Sequence, residues 1–384
     1  MTAAPPASHA KSSGAIWINA GEASGDLHGA NLARQLLASK PDWRITGMGG
    51  PAMEAAGCKL AWPMDAISLV GLTEVLPGLP RILAMLRSIR RQWKKAPPRA
   101  VVLIDCPDFN FRLASIAKSL GIPAYYYISP QVWAWRPGRV KFLGKSVRKV
   151  FCILPFEQKF YADHGVAAEF VGHPLLDELP ADLPDGPRDP NLVGILPGSR
   201  TREVSTLTPE LAGAARIILD RRPDARFALF KAPNLREDFL RECWDAAIPT
   251  EMVPPEHRYE TMGRCAMALA ASGTVALELA LAGAPTAICY KVSALTAFVA
   301  KRLVKIRYIS LPNLLLDREV FPELILERAN AAELGALGVS WLSNPEATAA
   351  IRKDLAVMRE LLGEPGAAAR TAQMIAEDLE KTSA

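Results

Sequence analysis

Short apolar runs alternate with amphipathic stretches of helical period along nearly the whole chain. Ala15–Ala20 reads as a buried strand, and the turn at 21–25 opens a helix that runs through Leu36. Further strands are predicted at Arg44–Met48, Ala100–Ile104, Ala124–Ile128 and Lys149–Leu154, with a helix over Phe111–Leu120. Buried strands alternating with helices predict a parallel, doubly wound sheet.

The rhythm breaks at Asp177–Pro190 (DELPADLPDGPRDP), where prolines and acids suit an extended linker. It then restarts. Leu192–Leu196, Arg226–Lys231, Met267–Ala271 and Thr286–Tyr290 read as strands, and Val204–Arg221 and Val275–Ala282 as helices. The expected fold is α/β, with two Rossmann-like domains facing across a cleft, one over residues 1–180 and one over 190–344. The tail, 345–384, reads as helices that are free to pack back on the first domain.

A length of 384 residues, half of them apolar, fits two domains of about 100–200 residues, each with its own core. The net charge of +5 is too mild to imply a nucleic-acid partner, but it suits anionic phosphates or an anionic membrane face. The six cysteines form no C-x-x-C pair and mostly sit in apolar runs, which reads as buried thiols in a reducing compartment. Zinc and disulfides are not expected. The first thirteen residues lack the apolar core of a signal peptide and read as a loose extension. No apolar stretch reaches the ~20 residues of a spanning helix. The nearest, Ala66–Leu86, is interrupted by Glu74, Pro77, Pro80 and Arg81.

Ligands of parallel α/β sheets collect at the carboxyl ends of strands, which directs attention to five loops. The first is Gly21-Glu22-Ala23-Ser24-Gly25-Asp26, a strand–helix turn with Ser24 as the expected N-cap; folding seldom needs two acids, Glu22 and Asp26, at such a point. The second, Asp105-Cys106-Pro107-Asp108, follows an apolar strand, so that burial would make Asp105 a more effective base, while Asp108 reads as a helix cap. The third, Pro197-Gly198-Ser199-Arg200, combines a glycine turn, a hydroxyl and a guanidinium before a helix and predicts an anion cradle without the P-loop ending. In the fourth, Ser272-Gly273-Thr274 heads a helix on which Glu278 lies one turn further, placed to accept ribose hydroxyls. The fifth, Leu311–Glu319, offers Asn313 to phosphate or base, though a helix-entry turn explains it equally well. No D-x-D is present to hold a divalent ion, so arginine and helix N-termini would neutralise a departing diphosphate. His173, after an apparent strand near the linker, is equally a substrate contact or a structural histidine.

Residues Ile67–Lys95 join an apolar series, Leu69, Leu72, Val75, Leu76 and Leu86, to Arg87, Arg90, Arg91, Lys94 and Lys95 with Trp93 among them. That pattern suits a headgroup-level contact with an anionic leaflet, and Thr296–Arg307 is a second basic amphipathic stretch. Either stretch alone is also what an ordinary sheet-covering helix looks like.

Six segments together resemble the bacterial lipid-A-disaccharide synthase family. They are GEASGD at 21–26, DCPDFNFRLA at 105–114, YYISPQVWAWRPGRV at 126–140, LPGSR at 196–200, ASGTVALELAL at 271–281 and LPNLLLDREVFPE at 311–323. The resemblance runs from about Ile16 to the C-terminal helices, and the tryptophan-rich segment at 131–135 is its most specific part. It implies a GT-B fold and inverting transfer from UDP-2,3-diacylglucosamine to 2,3-diacylglucosamine 1-phosphate, with no cofactor, at the cytoplasmic face of the inner membrane. On that reading Asp105 is the base, with Glu22 or Asp26 as the alternative. Ser199, Arg200, Ser272, Gly273, Thr274, Glu278 and Asn313 hold UDP, and Gly21, Ser24, Gln131, Trp133 and His173 serve the acceptor side. A homodimer is left open. Two rivals are a UDP-sugar epimerase of the same plan and a non-catalytic lipid- or nucleotide-binding protein.

Overall fold

The computed structural model describes residues 14–67, 72–135, 137–180, 187–291 and 307–383, apart from the side chains of 72–79, 135, 137 and 383. The chain divides into two compact units. Unit 1 runs to Asp177 and takes in the residues from Gly363 on; unit 2 is Glu178–Leu362.

Unit 1 is built on strands β1 (Ala15–Ala20), β2 (Arg44–Gly49), β3 (Lys59–Pro63), β4 (Ala100–Ile104), β5 (Ala124–Tyr127), β6 (Lys149–Cys152) and β7 (Ala168–Phe170). They pair in the order β3-β2-β1-β4-β5-β6-β7, every pairing parallel. Alternation along β1 supplies both layers of core. Ile16, Ile18 and Ala20 face a cluster that includes Leu32 and Leu36 of helix Ala23–Ser39 and Ile375 and Leu379 of helix Ala367–Ser383. Trp17 faces the other side, with Trp93 and Ile89 of helix Leu72–Lys95 and Leu113 of helix Pro107–Ser119.

Unit 2 repeats the plan with β8 (Asp189–Leu196), β9 (Arg226–Phe230), β10 (Thr250–Val253), β11 (Cys265–Ala271), β12 (Thr286–Tyr290) and β13 (Glu323–Ile325), paired in the order β10-β9-β8-β11-β12-β13. Val193, Ile195 and Leu269 pack beneath Leu207, Leu211 and Ile218 of helix Thr201–Arg221 and Leu334 and Trp341 of helix Ala331–Ser343.

Several expectations change. The sequence pattern misses β3, β10 and β13, all at sheet edges. An edge strand pairs on one side only and needs no continuous apolar run, and Lys59–Pro63 alternates between exposed and half-buried. The tail is split: helix Pro345–Leu361 belongs to unit 2, and helix Ala367–Ser383 packs on unit 1. Leu86 is not a surface contact. It is buried with Met85, Ile89 and Trp93 in the unit 1 core. Of the other residues assigned to a membrane face, Leu69 and the side chains of Leu72, Val75 and Leu76 lie outside the described residues, as does most of Thr296–Arg307. Among the described residues no helix is long and apolar enough to cross a membrane.

Candidate active site

In unit 1, register brings three loops together at the carboxyl edge of the sheet: Ala20 of β1 pairs with Ile104 of β4, which pairs with Tyr127 of β5. Each chain leaves that edge abruptly. Asp105 and Cys106, directly after β4, have φ of 45° and 43°, and Ile128, directly after β5, has φ of 58°. Left-handed backbone costs a non-glycine residue roughly 1–2 kcal/mol, so the surroundings must impose it. Here the restraint is a buried polar network. The Tyr126 hydroxyl donates to the Asp105 carbonyl at 2.5 Å, the Asn110 amide donates to the same oxygen at 2.7 Å, and Asn19 donates to Asn110 at 2.8 Å. The β1 loop presses against this turn. A Cβ on Gly21 would stand 2.7 Å from the Cys106 sulfur and 2.6 Å from Ile67 Cδ1, so a larger residue there would push those side chains aside.

The turn leaves the Asp105 carboxylate partly buried, and burial, then the nearby Glu22 carboxylate, raise its pKa above the ordinary 3.8. Glu22 itself is exposed. It occupies the N-cap of helix Ala23–Ser39 without making a side-chain capping bond, and the exposed Ser24 is already inside the helix rather than capping it. Asp108 caps nothing either; Cys106 holds the N-cap position, and Asp108 pairs with Arg139 at 2.8 Å.

Asp26 is the wrong alternative base. Its buried carboxylate accepts main-chain N–H groups from Gly50 (2.7 Å), Ala52 (2.9 Å) and Met53 (3.1 Å), and so fixes the turn after β2. His173 is likewise interior: its Nδ1 accepts from the Leu175 amide at 3.2 Å, and burial, with His28 beside it, lowers its pKa to about 3. A neutral, buried imidazole of this kind orders the chain after β7 and is not a substrate contact.

The tryptophan-rich segment follows Ile128, next to the Asp105 turn. Gln131 is exposed and Trp133 half-buried. The Trp133 indole donates at 3.0 Å to Glu157, a buried acid that the sequence pattern does not single out.

Unit 2 carries a cavity of about 230 Å³ at the carboxyl ends of β8, β9 and β11. Two helix heads meet there, Thr201–Arg221 and Thr274–Leu281, and neither N-cap makes a side-chain capping bond. Their first-turn amides therefore remain available to an anion. Gly198, Ser199, Ser272, Gly273, Thr274 and Glu278 line the cavity together. Gly198 has φ of 111°, and a Cβ there would meet the Glu203 carboxylate at 2.1 Å. Arg200 is the N-cap residue and its side chain is solvent-exposed, outside the cavity lining. The cations in the lining are Lys231 and Arg258, neither expected from the sequence. Arg258 Nε lies 3.4 Å from the mostly buried Glu278 carboxylate and stacks 4.4 Å over the Tyr259 ring. Burial raises the pKa of Glu278, with Arg258 and a hydrogen bond from Tyr259 opposing it.

Asn313 does not reach this cavity. It is fully buried, accepting from the amides of Val320 and Phe321 and donating to the Phe321 carbonyl and to Glu323, with all four bonds at 2.7–2.9 Å. Its amide is fully used in folding the loop before β13.

Two parallel-sheet α/β units of this topology define the GT-B plan. The fold is shared with a putative UDP-N-acetylglucosamine 2-epimerase from Listeria monocytogenes (TM-score 0.63, 13% identity, 96% of this chain and 97% of that one). It is shared equally with CalG4, the calicheamicin glycosyltransferase (TM-score 0.63, 16% identity, 96% and 99%). At such identities the likeness is one of fold alone, and it covers both isomerases and transferases.

Sequence separates them. Residues 16–377 match the family described as lipid-A-disaccharide synthetase. The lipid-A-disaccharide synthase of Anaeromyxobacter dehalogenans is 39% identical over 368 residues, 94% of this chain and 96% of that one. That of Geobacter metallireducens is 38% identical over 374 residues, 95% and 97%. The chain belongs to the lipid-A-disaccharide synthetase family, and it is a glycosyltransferase.

Proposed function

We propose that this enzyme joins UDP-2,3-diacylglucosamine to 2,3-diacylglucosamine 1-phosphate through a β-(1→6) bond, with inversion and release of UDP, at the cytoplasmic face of the inner membrane. Family membership supports the donor and acceptor. The observation that carries the site assignment is the left-handed Asp105 turn, whose main-chain carbonyl is held by buried donors at the carboxyl edge of the sheet and whose carboxylate has a raised pKa. Strain maintained by a dedicated network is a mark of function.

In this reading Asp105 takes the proton of the acceptor's primary hydroxyl as that oxygen attacks the anomeric carbon. The bond from that carbon to the diphosphate breaks, and UDP leaves as the anion. Unit 2 holds the donor: the first-turn amides of helices Thr201–Arg221 and Thr274–Leu281, with Lys231, Arg258 and the exposed Arg200, stabilise the diphosphate, and Glu278 accepts from the ribose. Gln131 and Trp133 belong to the acceptor side.

The test is UDP release that depends on the acylated acceptor, measured beside UDP affinity by calorimetry. Asp105→Asn is expected to lower turnover by about 10²–10⁴-fold, the usual span for a general base, with UDP affinity unchanged. Near-normal turnover in that variant removes Asp105 from the role. Interconversion of the UDP-sugar without acceptor would favour an isomerase instead.

A further inference from the structure

Glu157 has no part in the proton transfer just described, yet it is 1% exposed and accepts from four donors. Oε1 accepts from the Trp133 indole at 3.0 Å and, more weakly, from the Ser129 hydroxyl at 3.4 Å. Oε2 accepts from the amides of Ile153 and Leu154 at 3.2 and 3.1 Å, which are the entrance to helix Pro155–Asp163. One oxygen thus grips the rigid end of β6, and the other grips the loop that leaves β5. Phe156, beside Glu157, holds the same indole edge-on at 5.0 Å.

The loop needs this anchor. It begins with Ile128 in left-handed backbone, and it lies against the Asp105 turn because Tyr127 is paired with Ile104. Its far end is tied as well, by the Arg139–Asp108 ion pair. That pair is exposed and contributes little by itself, whereas a buried carboxylate with charge-assisted bonds is a strong and directional holder. Burial pushes the acid up to about 7, and the donors, the indole foremost, oppose that push.

We infer that Glu157 is a positioning residue for the acceptor: its buried carboxylate holds the Trp133 indole, and through it the 129–135 loop, where that loop meets the acceptor sugar. The inference rests on the reading that this loop touches acceptor rather than donor.

Full-length Glu157→Gln, Trp133→Phe, the double variant and Trp133→Ala are compared for acceptor KM, kcat and UDP affinity. Protein labelled with 5-fluorotryptophan gives a ¹⁹F resonance for Trp133, assigned by its loss in Trp133→Phe. Gln cannot accept on both sides, and Phe keeps the ring but has no N–H. Each single variant is expected to raise acceptor KM about tenfold or more, the size of a lost hydrogen bond to a charged group, with UDP affinity unchanged. The double variant should be no worse than the worse single one, because both break the same link. The Trp133 resonance should move in Glu157→Gln. A native acceptor KM with an unmoved resonance, additive losses, or an equal loss of UDP affinity would each overturn the assignment. Trp133→Ala separates the two readings. If it leaves acceptor KM unchanged, the loop does not meet acceptor and both fail; if it raises acceptor KM while Glu157→Gln does not, only the role of Glu157 fails. Should Glu157→Gln not fold, Trp133→Phe decides, since it leaves the carboxylate and its three other donors in place.

Discussion

The Tyr126 hydroxyl reaches across from β5 to donate to the main-chain carbonyl of Asp105, at 2.5 Å. A tyrosine inside the sheet thereby sets the direction of a carboxylate at its edge. The phenol is wholly buried, and burial followed by the nearby Asp105 charge raises its pKa well above 10, so it donates at every working pH. Tyr126→Phe removes the donor but keeps the ring. Asn110 still holds the same carbonyl, so the turn should loosen rather than collapse. The expected result is a stability loss of about 0.5–1.5 kcal/mol in urea melts, the net worth of one hydrogen bond. Turnover should fall more than UDP affinity, which steady-state kinetics beside calorimetry would reveal.

The raised pKa of Asp105 makes a paired prediction about pH. For activity the base must be ionised, so the acidic limb of kcat should lie above the ordinary carboxylate range and rise with pH. For stability the sign is opposite. Between its unfolded and its raised folded value the native state binds more protons, so stability falls as pH rises through that window and stays lower above it. Asp105→Asn should therefore melt higher than the parent at neutral pH, and the difference should shrink below the unfolded value. Melting curves of the two proteins from acid to neutral pH check this; a constant gap would mean the carboxylate is not desolvated.

Glu278 and Arg258 predict how the nucleotide is read. If the carboxylate accepts from ribose, Glu278→Gln should weaken UDP by about tenfold or more. The loss should be smaller for 2′-deoxy-UDP, which offers one hydroxyl fewer. Calorimetry with both nucleotides on both proteins gives the coupling directly, and equal losses for the two would place the 2′-hydroxyl elsewhere.

Asp26 predicts a fold defect. Removing a buried carboxylate that serves three main-chain N–H groups should cost about 2–4 kcal/mol in Asp26→Ala, as several buried donors lose their acceptor together. The expected signature is a lower urea midpoint, with turnover per folded molecule far less affected than in Asp105→Asn.

Leu86 predicts a fold defect too. With Met85 and Ile89 it fills the unit 1 core, so Leu86→Glu should reduce soluble yield and melting temperature. A variant that folds normally and merely loses vesicle binding would contradict its burial.

The sequence by itself determined the two α/β units and most of their central strands. Those depend on local patterning: apolar runs such as Ala100–Ile104 have to be interior, and Gly198 or Gly273 before a helix has to be a turn. It also determined the family, because many short segments matched at once. Only the tertiary structure decided which polar residues of those loops look outward. Asp26, in the first turn of the helix after β1, and Asp105, directly after β4, are both acids of such loops, yet Asp26 is enclosed by the turn after β2, while the Asp105 main chain is held by Tyr126 and Asn110. Asn313 is fully used inside its own loop, and Arg258 and Glu157 join their sites from segments with no local signature. The physical reason is that burial follows from a chain's own pattern, whereas a side chain's partners come from residues far along the sequence. Nothing in the residues around Trp133 announces a carboxylate twenty-four positions later.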